Sequence, residues 1–537
     1  MQFFIISEGE QINPQLITNK LRFVYMKRIF KHIAVALMLV STFTASAAEK
    51  VLKIGITQDP TNLNPILMQG VYAESLAGNI FDTLISFKES AKQAEPLLAE
   101  SWDISEDGKT YTFHLREGVK FHNGQAFTAE DVKYTFETTL DEKNASPNRE
   151  FLKPIQSIET PDDYTVILKL DAPSAPFLLA LANPTLGILP AKALKELGME
   201  GFDRQPIGTG AFKFVEMIPD ERITLAKNKD YFVAEPNLDK VIFRPIPKLE
   251  VMSAELQAGG IDMAFELLPQ DTQRLADEGL NIQDVPGLTL RYIGFSMKTL
   301  PFSDVRFRKA VYHAVPFDQA IPGIFKGAGE RAYSWIPVGV VGDDVDYMKS
   351  KALAYDMDKA KQLIAEMKAD GTLKEDFEFD IYSPGDPARK QVATVISTQL
   401  RSLGLKVNVQ TPEWSSMFPM LKAGDIGLFV MGWGSVPDPD RWTYRLFTPD
   451  SAMNFSKYDN AEVTKALELG RTLNAPEARA QAYQTAMRQA LTEDYIHIPL
   501  VWLKTVTGSS SKVKGFTPSP QKYIHLVTWK RNVDLMQ

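Results

Sequence analysis

Cysteine is absent from all 537 residues. That excludes disulfide staples, thiolate metal sites and a cysteine-built lipid anchor, so an exported form of this chain stands on its hydrophobic core alone. Histidine is scarce. The six, at positions 32, 114, 122, 313, 497 and 525, never take the i, i+4 or HExxH spacing of a zinc site. His114, in the alternating run "YTFHLREGVKF", reads as a strand residue. Neither a GxSxG elbow nor a GxxxxGK[ST] phosphate loop occurs, and "GGIDMAF" at Gly259 lacks the GxGxxG order of a dinucleotide site. Acid pairs such as Asp438 and Asp440 would suit glycoside hydrolysis, but with 67 acids in the chain a DxD arises easily by chance. There is no basic excess either: the formal net charge is −8, the wrong sign for a nucleic-acid partner. Binding is favoured over catalysis, with a secreted hydrolase as the opposing reading. No metal or cofactor is expected.

What is present begins with a leader. From Met26 the chain runs "MKRIFKHIAVALMLVSTFTASAAEK". Lys27, Arg28 and Lys31 form a basic start, Ile33 to Phe43 an apolar core, and Ala45-Ser46-Ala47 a small-residue cleavage site. The expectation is a signal peptide within residues 1–47 whose true start is Met26, and a mature protein beginning at Ala48 or Glu49. No second run of 18 or more apolar residues follows, so the protein is not expected to be membrane-embedded. The destination implied is the periplasm.

The rest reads as mixed α/β in more than one lobe, given the length. "VLKIGITQDP" alternates as a strand and breaks at Asp59-Pro60. "GVYAESLAGNIFDTLISF" predicts a helix with Leu76, Ile80, Phe81 and Leu84 on one face. A hairpin turns at Asp107-Gly108 with Tyr111, Phe113 and Leu115 inward, and Thr128 with Asp131 predicts a capping box on the next helix. Leu428 to Met431 is a short continuous apolar run, read as a strand covered on both faces. Gly432 and Gly434 bracket Trp433 just beyond it, where ligands of open α/β sheets collect.

Six segments carry a resemblance. They are "GKTYTFHLREGVKFHNG" with "FTAEDVKYTFE", "PIGTGAFKF", "NKDYF", "FSDVRFRKAVYHAV", "YDMDKAKQLIAEM" and "PEWSSMFPMLKAGDIGLFVMGW". In this order, between about Val51 and Trp529, they resemble the peptide/nickel-type extracellular solute-binding proteins of family five, periplasmic receptors of ATP-driven importers. The resemblance implies a two-lobed periplasmic-binding-protein fold of type II, similar to cluster C, with an extra subdomain in the first lobe. It places lobe I at 49–286 plus 494–537 and lobe II at 287–493, crossing near Pro286–Phe295 and Tyr495–Trp502. The implied partners are a peptide or other small solute and an inner-membrane ABC permease, the receptor itself being a monomer.

The same resemblance carries site residues over to Gly70, Val71 and Tyr72 before and in the first helix, to Trp433, Gly434 and Ser435, and to Trp414. Gly118, Gly124, Gly208 and Gly210 read as turn glycines. Two features of peptide binders differ here. The aspartate three residues after the tryptophan, which takes the peptide amine, is Val436, and the Arg-Pro-Tyr step is replaced by "YSPGDPARK", Tyr382–Lys390. Asp438 is the nearest acid to serve as the amine partner instead. Oligosaccharides, opines and metal chelates stand as alternative ligands on the same fold.

Overall fold

Two strands, Asn281–Phe295 and His497–Ser509, are much longer than their neighbours and join two hydrophobic cores. The computed structural model describes residues 49–87, 93–385, 387–434 and 438–536. The expected leader and Ser435 lie outside the described residues. From edge to edge the main sheet runs Lys406–Gln410, Glu378–Tyr382, Leu428–Gly434, Asn281–Phe295, His497–Ser509, Met263–Ala264, Val51–Ile56, Lys240–Pro245, Arg222–Lys227 and Phe212–Ile218. The long pair is antiparallel, from Asn281 opposite Ser509 to Gly294 opposite His497, and slips register between Pro286 and Thr289. Such a bulge bends and twists a ribbon locally.

One end of the ribbon packs with Ile246, Met252 and Leu256, beside the core of Leu52, Ile54, Leu76 and Phe243. The other end supplies Ile293, Phe295, Ile498 and Leu500 to a core with Phe307, Ile396 and Val430. The fold is therefore mixed α/β in two lobes. Leu428 to Val430 are fully buried and Met431 nearly so, as a continuous apolar run between covered faces requires. The strand Glu378–Tyr382 runs parallel to both Lys406–Gln410 and Leu428–Gly434, which puts Trp433 at the carboxyl end of its strand.

A separate four-stranded antiparallel sheet, ordered Ala99–Ile104, Thr110–Leu115, Thr165–Leu170 and Ile155–Asp162, forms a subdomain with its own core. Tyr111, Phe113 and Leu115 face inward as their alternation implies. The helix Ala129–Leu140 begins with the expected capping box, the Thr128 N–H donating to Asp131 at 2.9 Å.

Two local expectations need correction. The first helix ends at Ile80; Phe81, extended, and Leu84, at a bend, are buried beyond it. The carbonyl of Ile80 accepts from Gly210 N–H at 2.9 Å and that of Asp82 from Ile188 N–H, so the chain leaves the helix to pair with other segments. Gly208 and Gly210 are correspondingly not turn glycines. A Cβ at Gly208 would stand 2.0 Å from the Ile80 oxygen, so glycine is there for close approach, whereas Gly118 and Gly124 do have positive φ. No described helix is long and apolar enough to cross a membrane.

Candidate functional site

One part of the candidate site is built where the chain enters the helix Val71–Ile80. Gly70, with φ 92°, is its N-cap, a conformation that side chains strain to adopt. Val71 is half-buried on the first core, and Tyr72 is turned inward. The Tyr72 hydroxyl donates to Glu266 at 2.9 Å, and Lys522 reaches the other oxygen of that carboxylate at 2.6 Å. Burial pushes Glu266 up, but the Lys522 charge and the hydrogen bonds from Lys522 and Tyr72 outweigh it, leaving the carboxyl below its ordinary range. Burial, then the Glu266 charge, pushes the Tyr72 phenol up.

One residue pair further along the helix stands Glu74. Burial raises its carboxyl to about 7, against the pull of a Tyr523 hydrogen bond and of the Arg441 charge. Arg441 lies on the helix Pro439–Phe447, so that helix and the helix Val71–Ile80 are electrostatically linked.

The other part of the candidate site is the end of the Leu428–Gly434 strand and the helix Pro439–Phe447. Trp433 is half-buried against the core of Leu290, Met431 and Trp442, and its Nε1–H donates to the Arg441 carbonyl at 3.2 Å. Gly434 is exposed at the strand end, opposite Thr289. Gly432 admits Arg291: a Cβ there would lie 2.1 Å from Nη1 of that guanidinium. Arg291, on the crossing strand, acts in turn on Glu266, and so belongs to the same charged group.

Two expected site residues are placed differently. Asp438 is 1% exposed, and its oxygens accept from Arg479 at 2.8 and 2.9 Å and from the Asp440 N–H at 3.0 Å. Its carboxylate is committed to the protein, which corrects the amine-partner role expected of it. Trp414 opens the helix Trp414–Ala423, 44% exposed, with its ring against Phe418 rather than against Trp433. The structure thus gathers Tyr72 and Trp433 with Glu74, Glu266, Arg291, Arg441, Lys522 and Tyr523, none of which the sequence reading singled out. Arg441 follows Trp433 by 8 residues; the others carried no local signal.

Beside this group lies a chamber of about 860 Å³ lined by residues from 150–180 and 438–472. Phe151, Lys153 and Asp171 line one side, and Arg441, Arg445 and Arg471 the other. Its size suits a small organic ligand. Among the described residues no cluster of three or more His, Asp or Glu is arranged to hold a metal. The walls offer rings, hydrogen-bond groups and charges of both signs, which is the equipment for holding a solute.

Residues 93–454 match the family model for bacterial extracellular solute-binding proteins, family 5 Middle. The chain is 30% identical to heme-binding protein A of Haemophilus influenzae, over 86% of its own length and 89% of that protein. It is also 30% identical to the dipeptide-binding protein of Escherichia coli, over 89% of this chain and 94% of that one. Among solved structures, the periplasmic binding protein DppA of Helicobacter pylori in complex with peptide STSA superposes with a TM-score of 0.75. The two share 28% identity, covering 91% of this chain and 98% of that one.

Proposed function

The chain belongs to the bacterial extracellular solute-binding proteins of family 5, and from that premise we propose that it captures peptides or peptide-like solutes for an ABC importer. In this reading it works in the periplasm, without catalysis, and hands its ligand to an inner-membrane permease. Lobe I comprises residues 49–286 and 494–537, lobe II residues 287–493, and the two long strands between them act as the hinge. The ligand lies between Gly70, Val71 and Tyr72 on one side and Trp433, Gly434 and Ser435 on the other.

The observation that supports this reading is the Trp433 indole held by the Arg441 carbonyl at 3.2 Å beside an exposed glycine, with the hydrogen-bonded group of Tyr72, Glu266 and Lys522 as the facing part of the proposed cleft. Acid on one wall and guanidinium on the other complement a zwitterion, and an indole beside exposed backbone adds flat apolar contact. Cleft closure around such a solute removes water and strengthens each charged contact.

Native mass spectrometry of the protein drawn from its own periplasm, with calorimetry on di- and tripeptides, tests the reading. A co-purified peptide, or peptide binding with a one-to-one stoichiometry, is the expected result. A sugar, opine or metal chelate in the cleft would move the receptor to another ligand class. Turnover of a hydrolase substrate would overturn it.

A further inference from the structure

Arg441 and Arg445 stand one turn apart on the helix Pro439–Phe447 and both line the chamber. Like charges at this spacing repel, and a half-buried guanidinium ordinarily recruits a carboxylate. Here the two acids at the start of the same helix are already engaged, while Glu150, Asp171, Asp450 and Glu468 line the chamber further off. Asp438 is held by Arg479, and Asp440 is paired with Arg471 at 3.1 Å. Among the described residues neither Arg441 nor Arg445 forms an ion pair within 4.0 Å. The Arg441 guanidinium lies instead over the Phe151 ring, 4.4 Å from its centroid, and its Nε is buried with no hydrogen-bond partner. Burial, then the charge of Arg445, pulls the Arg441 guanidinium below its ordinary range. Glu74 forms no ion pair with it within 4.0 Å.

We propose that Arg441 and Arg445 form an anion subsite in this chamber, which takes a carboxylate or phosphate carried at the far end of the solute. A ring on one face and an unfilled set of N–H donors on the other leave the guanidinium fork open for bidentate recognition. The subsite adjoins the cleft directly, because the Arg441 backbone carbonyl holds the Trp433 indole N–H. The chamber volume of about 860 Å³ leaves room for a ligand that extends beyond Trp433 into it. The subsite deepens the receptor reading and rests on it only for what the anion is attached to.

The first arm of the test needs no knowledge of the natural ligand. The full chain is titrated with succinate and, separately, with inorganic phosphate, both at constant ionic strength, and the thermal midpoint is read. The midpoint of the wild type should rise, whereas Arg441→Gln/Arg445→Gln should not respond. Its midpoint without anion should equal or exceed that of the wild type, since a like-charge contact is gone. A response to succinate alone assigns a carboxylate, and one to phosphate alone a phosphate. The same response in wild type and double variant, or none in wild type, overturns the subsite. Should the double variant fold poorly, Arg445→Gln alone carries the same readout.

The second arm compares trialanine with its C-terminal amide by calorimetry. If the subsite holds a peptide carboxylate, the acid should bind about 10- to 100-fold more tightly than the amide, and Arg445→Gln should abolish that ratio. Tight but equal binding of both forms excludes a peptide carboxylate here and counts against the proposal. An anion response with no binding of either tripeptide leaves the subsite standing and sinks the peptide reading instead.

Discussion

The Asp438 carboxylate and the Arg479 guanidinium meet at two points, 2.8 and 2.9 Å apart, with Asp438 1% and Arg479 6% exposed. The pair ties the first turn of the helix Pro439–Phe447 to the helix Pro476–Arg488. Removing one partner of such a pair strands a buried charge, at a cost of about 3–5 kcal/mol. Asp438→Asn should therefore lower the unfolding free energy by about that amount, read by urea denaturation. Ligand affinity measured on the folded fraction should stay close to wild type. Weakened binding with unchanged stability would restore Asp438 to the ligand.

Gly208 offers a second test of packing against function. Its missing Cβ would meet the Ile80 carbonyl oxygen at 2.0 Å, and backbone on both sides cannot swing away as a flexible side chain can. Gly208→Ala should destabilise by about 1–3 kcal/mol. Gly118→Ala should act by a different route, through backbone strain at φ 76°, since nothing lies within 4 Å of its Cβ position. Equal thermal midpoints for Gly208→Ala and wild type would refute the close-approach argument.

The fold was legible where a pattern is local. Alternation placed Tyr111, Phe113 and Leu115 inward, a capping box marked the helix after Thr128, and the apolar run Leu428–Met431 gave a covered strand. The helix limit at Ile80 was not legible, because Gly210, far along the chain, takes the carbonyl that decides it. The charged half of the site was hidden for the same reason. Glu74 meets Tyr523, and Glu266 meets Lys522, across hundreds of residues. Nothing in the spacing of 67 acids and 59 bases distinguishes these few. Asp438 shows the converse: proximity in sequence to Trp433 suggested a ligand role, while the fold supplied Arg479.

Glu74 gives the molecule a pH signature. Its carboxyl is raised by burial from 4.5 to about 7. Between those values the folded state holds a proton that the unfolded chain has released, so this contribution to stability is full below about pH 4.5 and lost as pH rises through 7. Asp82 and Asp440, each raised to about 6, act with the same sign. His122 and His525, each lowered from 6.5 to about 4 by burial, act with the opposite sign, their contribution being lost as pH falls from 6.5 through 4. The difference between wild type and Glu74→Gln isolates the one group. The variant should gain on the wild type as pH rises from 5 to 8, read from denaturation midpoints. A constant difference across that range would show that Glu74 titrates normally.

Trp433 is where the receptor reading stands or falls. Its indole is half-buried on the core of Leu290, Met431 and Trp442, anchored by the 3.2 Å hydrogen bond to Arg441, and followed by an exposed glycine that leaves backbone open to a solute. An aromatic held this way binds with little loss of side-chain freedom. Trp433→Ala should weaken peptide binding by about 1–3 kcal/mol, while the fold, read by circular dichroism, stays intact. Trp433→Phe should recover part of the loss, because the flat contact returns without the indole N–H. Recovery to full affinity would mean that the hydrogen bond to Arg441 has no part in positioning the ring. Unchanged affinity in Trp433→Ala would place the ligand elsewhere, and the assignment of Tyr72, Glu74 and Arg441 to the cleft would fall with it.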